Sequence, residues 1–150
     1  MGESMEIREY VYPQGSKPET TVLWASRHSP LPAQLHYLYN KLGPIRIVQV
    51  AKVFSDANEI ISLAKTFNAK YIVPVIPLSM ILRLVENKNS FTILWAEMEL
   101  VRQSNQPITP NPECKMVLPT RDQNGKIQYK LHRFKCFKVI KAIKFELQPL

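Results

Sequence analysis

The sequence predicts an α/β fold: a Rossmann-like, mainly parallel sheet flanked by helices, with a C-terminal antiparallel β-hairpin extension. Three observations carry that expectation. Short apolar stretches at residues 21–25, 45–50, 70–76 and 91–96 alternate with stretches of helical period, the pattern of β-α units whose parallel strands are joined by right-handed crossovers. The first of these strands breaks off into Ser26, Arg27, His28 and Ser29 and then two prolines before a helix begins. Beyond residue 113 the apolar period changes to two, and Asn124-Gly125 marks a tight turn.

Composition sets the frame. A chain of 150 residues with 45% hydrophobic residues suits a single domain and can bury about 70% of its unfolded surface. No apolar run reaches the ~18 residues of a membrane span. The opening MGESMEIREY lacks the basic-then-apolar order of a secretion signal, and Gly2 lacks the Ser/Thr context of a myristoylation site. Cys114 and Cys136, 22 positions apart, match no metal-ligand spacing, so a cytoplasmic protein with two reduced thiols is expected. The net charge is +8, and residues 115–144 hold nine basic residues against one acidic residue, Asp122. That segment alone carries +8, and the remainder cancels. An anionic partner fits such a segment; so does a solvated strand face studded with lysine.

In chain order, residues 1–19 form a leader in which 6–12 can make a short edge strand. The expected single domain, 1–150, then has a βαβ core over 20–102, a proline-rich loop over 103–113 and a basic hairpin extension over 114–150. Leu31, Leu35, Leu38 and Leu42 place one apolar face on helix one, which Gly43-Pro44 stops. Ser55 is the expected N-cap of helix two, with Asp56 and Glu59 in its first turn and Ile60, Leu63, Ala64 and Phe67 as its apolar stripe. The run KYIVPVI reads as a strand buried on both faces, but Pro74 within it argues for an edge or a bulge, and on the edge reading that strand flanks the sheet. Met80, Ile81, Leu84 and Val85 form helix three after the Pro77-Leu78-Ser79 corner. A turn follows at 87–90. Strand four, FTILWA, ends at Glu97 and resembles strand one, which gives Trp24 and Trp95 equivalent packed environments. Ile127, Tyr129 and Leu131 alternate with polar residues, and Ile143, Phe145 and Leu147 read as a last strand.

The chain has no glycine phosphate loop, no H-E-x-x-H and no G-x-S-x-G. His28, His36 and His132 are too dispersed to form a metal cluster on their own, so no metal and no cofactor are expected. One crevice remains, because ligands bind beyond the carboxyl ends of strands in open α/β sheets. Ser26, Arg27, His28 and Ser29 come from the first corner, Pro77, Leu78 and Ser79 from the third, and Glu97 reaches in from the fourth strand. Arg27 can take a phosphate charge in a planar fork; His28 can move a proton near neutral pH; the two helix N-termini add free N–H groups. Ser and Pro at such a corner are also what any helix start requires. Near the C-terminus Tyr129, Lys130, Arg133, Phe134, Lys135, Phe137 and Lys138 interleave rings with cations, as in a nucleotide clamp or in an amphipathic strand with a phenylalanine core face.

The order strand, Ser26-Arg27-His28-Ser29-Pro30, helix, and then strand, Ile76-Pro77-Leu78-Ser79, helix, resembles the small standalone CARF-like ring nucleases of type III CRISPR systems. The turn at Asn124-Gly125 followed by His132-Arg133-Phe134-Lys135 resembles the hairpin of one branch of that family. Ser29 before Pro30 departs from the family's corner. The resemblance implies a homodimer that binds a cyclic oligoadenylate across its two-fold axis, cyclic tetra-adenylate first among the ring sizes, and cleaves it without metal by attack of a ribose 2′-hydroxyl. Arg27 and His28 are then the catalytic pair, Arg27 stabilising phosphorane charge and His28 acting as general acid or base. Ser26, Ser29 and Ser79 hold phosphate or ribose oxygens, and Arg133 and Lys135 close over the ligand. The same residues leave open a nucleotide sensor without cleavage, an accessory protein that binds nucleic acid through the basic segment, and an assembly module.

Overall fold

A computed structural model describes residues 5–87, 90–111, 113, 115–142 and 146–150. Its strands, in chain order with the helices between them, are β1 (Glu6–Tyr12), β2 (Thr20–Ala25), α1 (Pro32–Leu42), β3 (Ile45–Ala51), α2 (Ala57–Thr66), β4 (Tyr71–Pro74), α3 (Leu78–Val85), β5 (Thr92–Ser104), β6 (Lys115–Arg121) and β7 (Ile127–Val139). The chain folds as two compact units with interleaved segments. The first comprises Met1–Ser29, Pro44–Trp95 and Val139–Leu150; the second comprises Pro30–Gly43 and Ala96–Lys138. Helix one, expected within the 20–102 core, thus goes with the basic hairpin.

In the first unit the strand order is β1-β3-β2-β4-β5, and in the second it is β5-β7-β6. The parallel pairs are β2 with β3, β2 with β4 and β4 with β5, joined over five, four and two residue pairs. The antiparallel ladders are longer, seven pairs each for β1 with β3 and β6 with β7. The result is a mixed seven-stranded sheet, 41% strand and 20% helix, mostly antiparallel. The expected mainly parallel, Rossmann-like or CARF-like sheet flanked by helices is therefore incorrect. Its physical error lies downstream of Ala96. MELVRQS continues β5 to a length of 13 residues instead of ending at Glu97, and β7 is equally long; strands of that length pair with each other rather than returning through helices.

The first unit's core forms because alternate residues of four strands point to one face. Leu23 and Ala25 (β2), Val48 and Val50 (β3), Ile72 (β4) and Ile93 (β5) meet Ile60, Ile61 and Ala64 of α2 and Ile81, Leu84 and Val85 of α3. Asp56, not Ser55, caps α2: its side chain accepts the Asn58 N–H at 2.9 Å. Ser55 instead donates to Glu59, which also pairs with Lys52. β4 lies inside the sheet between β2 and β5, which corrects its expected position at the flank. Pro74 is tolerated there because it is the last residue of the strand, and the neighbouring Val75 N–H continues the pairing by donating to Ala25 O at 3.1 Å. Trp24 is buried while Trp95 is half-exposed, so the two tryptophans do not share an environment.

The second unit is one helix on an antiparallel sheet. Glu97 of β5 contacts Cys136 and Lys138, and Glu99 contacts Arg133 and Lys135, so numbers rise along β5 as they fall along β7. Tyr37 of α1 packs on Phe134 and Phe137, with ring centroids 5.8 Å from each. Those two phenylalanines are three residues apart yet have rings 5.0 Å apart and are both buried. A strand of period two cannot place them on one face unless an extra residue is accommodated between them, as in a β-bulge. The Asn124-Gly125 turn joins β6 to β7, with Gly125 at φ 79° and Asp122 Oδ1 accepting the N–H groups of Asn124 and Lys126. Of the last strand read at Ile143, Phe145 and Leu147, residues 143–145 lie outside the described residues, while Leu147 is exposed and in no strand; Cys114 and residues 88 and 89 of the 87–90 turn also lie outside the described residues.

Candidate functional site

The first unit brings the first and third corners together. β2 and β4 are parallel neighbours, with Ala25 opposite Pro74, so the chain leaves both strands at the same end of the sheet. From β2 the chain goes to β3 on one side, and from β3 to β4 on the other side of β2. The gap between β2 and β4 is thus where strand order reverses, the place at which open parallel sheets hold ligands.

The 26–29 corner is fixed by four hydrogen bonds. Ser26 Oγ accepts the His28 N–H at 3.1 Å, and His28 O accepts Trp24 Nε1–H at 2.7 Å. Gln49 Nε2 donates to Ser26 O, and Ser29 Oγ donates to Gln49 Oε1, both at 3.2 Å. Ser26, Trp24 and Gln49 are buried; the register sets Trp24 beside Gln49 on β3, which is why both reach one loop. Arg27, His28 and Ser29 are exposed, and the side chains of Arg27 and His28 have no hydrogen-bond or ion-pair partner among the described residues. A rigid backbone therefore presents a guanidinium and an imidazole with free donors. Ser26 and Ser29 help hold the corner: the Ser26 hydroxyl accepts one of its hydrogen bonds and the Ser29 hydroxyl donates another.

At the third corner Pro77 caps α3, and its carbonyl accepts the N–H groups of Met80 and Ile81 at 3.0 and 3.1 Å. The backbone N–H group of Ser79 has no acceptor among the described residues, and Ser79 is exposed. The start of α1 is different. Pro32 has no N–H, Ala33 donates to Glu113 O at 2.9 Å, and Gln34 and Leu35 donate to Leu31 O. Gln34 Oε1 takes the Leu31 N–H at 2.8 Å. The N-terminus of helix one is thus closed, partly by the end of the proline-rich loop, and the expectation that it offers free N–H groups is corrected.

Glu97, Arg133 and Lys135 belong to the second unit, where they form a cross-strand ladder. Glu97 pairs with Lys138 at 3.1 Å and accepts the Cys136 thiol at 3.2 Å, while Glu99 pairs with Arg133 and, at 3.9 Å, with Lys135. The bond from Cys136, then that from Lys138, holds the Glu97 carboxyl below its ordinary value; Glu97 in turn raises the thiol of Cys136 and the ammonium of Lys138. Among the described residues no three His, Cys, Asp or Glu side chains come together to hold a metal ion, and no helix is long and apolar enough to cross a membrane.

The hold of Trp24 and Gln49 on the corner escaped sequence reading, although Gln49 left a signal: it is the one polar, uncharged residue inside the apolar strand IRIVQV. No protein-family model, curated protein or solved structure matches this chain.

Proposed function

We propose that the corner at residues 26–29, with the start of α3, binds a phosphate-bearing ligand of the nucleotide class. The observation that carries this reading is the unpartnered Arg27–His28 pair on a corner held by four hydrogen bonds where strand order reverses. Arg27 takes the phosphate bidentately, His28 donates to it or to a ribose oxygen, and the Ser79 N–H group and hydroxyl take a second oxygen. A corner fixed before the ligand arrives spends little of the binding free energy on ordering.

The specific ligand to test is the cyclic oligoadenylate implied by the family resemblance, cyclic tetra-adenylate first, bound by a homodimer in the cytoplasm. Cleavage then proceeds by attack of a ribose 2′-oxygen on the adjacent phosphorus. The bond from phosphorus to the 5′-oxygen breaks, leaving a 2′,3′-cyclic phosphate and a 5′-hydroxyl. His28 moves the proton between the two oxygens, and Arg27 faces the charge that develops on the phosphorane. The reading uses first-unit residues alone; Glu97, Arg133 and Lys135 have no part in it.

The test is incubation with cyclic tri-, tetra- and hexa-adenylate in chelator, with products separated by chromatography and weighed. Linear products ending in a 2′,3′-cyclic phosphate are expected. Arg27→Ala should weaken binding about tenfold or more, the worth of one hydrogen bond to a charged group. His28→Ala should slow turnover about 10²-fold or more while binding persists. Retention without turnover makes the site a sensor. Neither turnover nor retention of any of the three rings, nor of simple nucleotides, refutes the site.

A further inference from the structure

The carboxyl ends of the first unit's parallel strands line up as a row across the sheet. The β2–β3 ladder runs as far as Trp24 opposite Gln49, which brings the next residue, Ala25, level with Val50. Ala25 itself pairs with Pro74. The β4–β5 ladder sets Ile72 opposite Ile93, and the same register two places on brings Trp95 level with Pro74. Side chains alternate along a strand, so Trp95 takes the face of Ile93, the face on which Ala25, Val50 and Ile93 meet α2 and α3. Three members of the row, Val50, Ala25 and Pro74, are buried; Trp95 is 48% exposed.

Trp95 is the one tryptophan or phenylalanine exposed among the described residues. Its indole has neither a hydrogen bond nor a ring neighbour among them. Trp24 is buried, faces the other way and donates its Nε1–H to His28 O. From Ala25 to Trp95 is two strand spacings, about 10 Å. Arg27 and His28 follow Ala25 by two and three residues. Between the two strands lies the end of β4, from which α3 starts before packing on the face of Trp95 through Ile81, Leu84 and Val85. The unpartnered indole therefore stands at the same end of the sheet as the corner and the start of α3.

We propose that Trp95 is the platform on which the ligand's base stacks: the phosphate sits at Arg27, His28 and the start of α3, and the base lies flat on the exposed indole one strand beyond β4. This inference rests on the nucleotide reading of the corner and narrows it. A sugar phosphate satisfies Arg27, His28 and Ser79 but leaves the indole uncovered. A nucleotide covers it, and because every base has a π-face the platform accepts a base without reading its edge. Recognition is thus divided along the ligand, with charge and hydrogen bonds at the β2 corner and apolar stacking on β5.

The test is calorimetric titration of the full chain with adenosine 5′-monophosphate and with ribose 5-phosphate, which lacks the base. The nucleotide should bind tighter by about tenfold or more, the worth of one base stacked on an aromatic side chain. Trp95→Ala should bring the nucleotide down to the affinity of ribose 5-phosphate and leave ribose 5-phosphate as it was, which also shows that the corner is still folded. Trp95→Phe, which keeps a ring, should retain most of the difference. The nucleotide, and not ribose 5-phosphate, should quench tryptophan emission in the wild type, and that quenching should vanish in Trp95→Phe because Trp24 is buried. Equal affinity of the wild type for the two ligands overturns the platform and leaves the phosphate corner standing. A nucleotide preference that survives Trp95→Ala overturns it as well, since the base then lies elsewhere; so does an equal loss of both ligands in that variant, which makes Trp95 structural. Binding of neither ligand by the wild type refutes the corner, and the platform with it.

Discussion

Replacing Gln49 by leucine tests whether the corner is held by its hydrogen bonds to β3. The substitution keeps the side chain's bulk in a buried site but removes the donor to Ser26 O and the acceptor for Ser29 Oγ. Each bond contributes about 0.5–1.5 kcal/mol net, and the buried Ser26 carbonyl left without its side-chain donor adds up to about 1–3 kcal/mol. Burial of the added apolar surface offsets up to about 1 kcal/mol. The expected loss is therefore about 2–3 kcal/mol. With a urea dependence of about 2 kcal/mol per molar, the midpoint of a urea titration followed by tryptophan fluorescence should drop by about 1 M. Gln49→Glu sharpens the test. A buried carboxylate has its pKa raised, so its cost is absent below the unfolded value of about 4.3 and grows as pH rises above it. A protonated Glu can still donate to Ser26 O, so this variant should be nearer to the wild type at pH 4 than at pH 7. A midpoint shift below about 0.2 M for Gln49→Leu would refute the reasoning: the corner would then owe its shape to the strand and the prolines alone.

Three further outcomes follow from titratable groups. Burial pushes the Tyr10 hydroxyl up to about 12. Its neutral form stabilises the fold fully below pH 10, and that contribution is lost as pH rises toward 12; Tyr10→Phe should flatten the alkaline limb of a stability–pH curve. Glu59 is held below its ordinary 4.5 by hydrogen bonds from Lys52 and Ser55. Its contribution is present above that value and fades as pH falls through the lowered one, so Glu59→Gln should remove part of the acid limb seen by thermal melting. Glu97 raises the Cys136 thiol, so in a Cys114→Ser background Glu97→Gln should speed alkylation of Cys136 by iodoacetamide at pH 8; an unchanged rate would mean the thiol and carboxylate do not interact in solution.

The first half of the chain was the legible half. Apolar runs and helical spacing located β1 to β4 and α1 to α3 to within a few residues, because most of these elements carry an apolar run or stripe that is buried. The second half misled because its strands are half-solvated. In β5, Glu97 and Glu99 alternate with Met98 and Leu100, a period of two that passes for a charged loop when read after an apolar run ending at Ala96. In β7, the extra residue between Phe134 and Phe137 breaks the alternation and leaves a pattern closer to period three. As for the candidate site, Arg27 and His28 were visible as residues in excess of what a helix start needs. The engagement of Ser26 and Ser29 by Gln49 was not, since strand order alone decides that β3 lies beside β2. The closure of helix one by Glu113 was equally hidden, for it joins residues 80 positions apart across a loop with no periodicity.

The interleaving of the two units bears on how the chain is made. The first unit needs Val139–Leu150 as well as Met1–Ser29 and Pro44–Trp95, and the Ile140 N–H reaches back to Ile93 O. A ribosome delivers that segment only after every residue of the second unit has emerged. The first unit cannot close before the second is complete, and a nascent chain stopped at residue 104 exposes β5 with no β7 to cover it. The first unit should therefore close late and slowly for its length, since its closing contacts span long stretches of sequence.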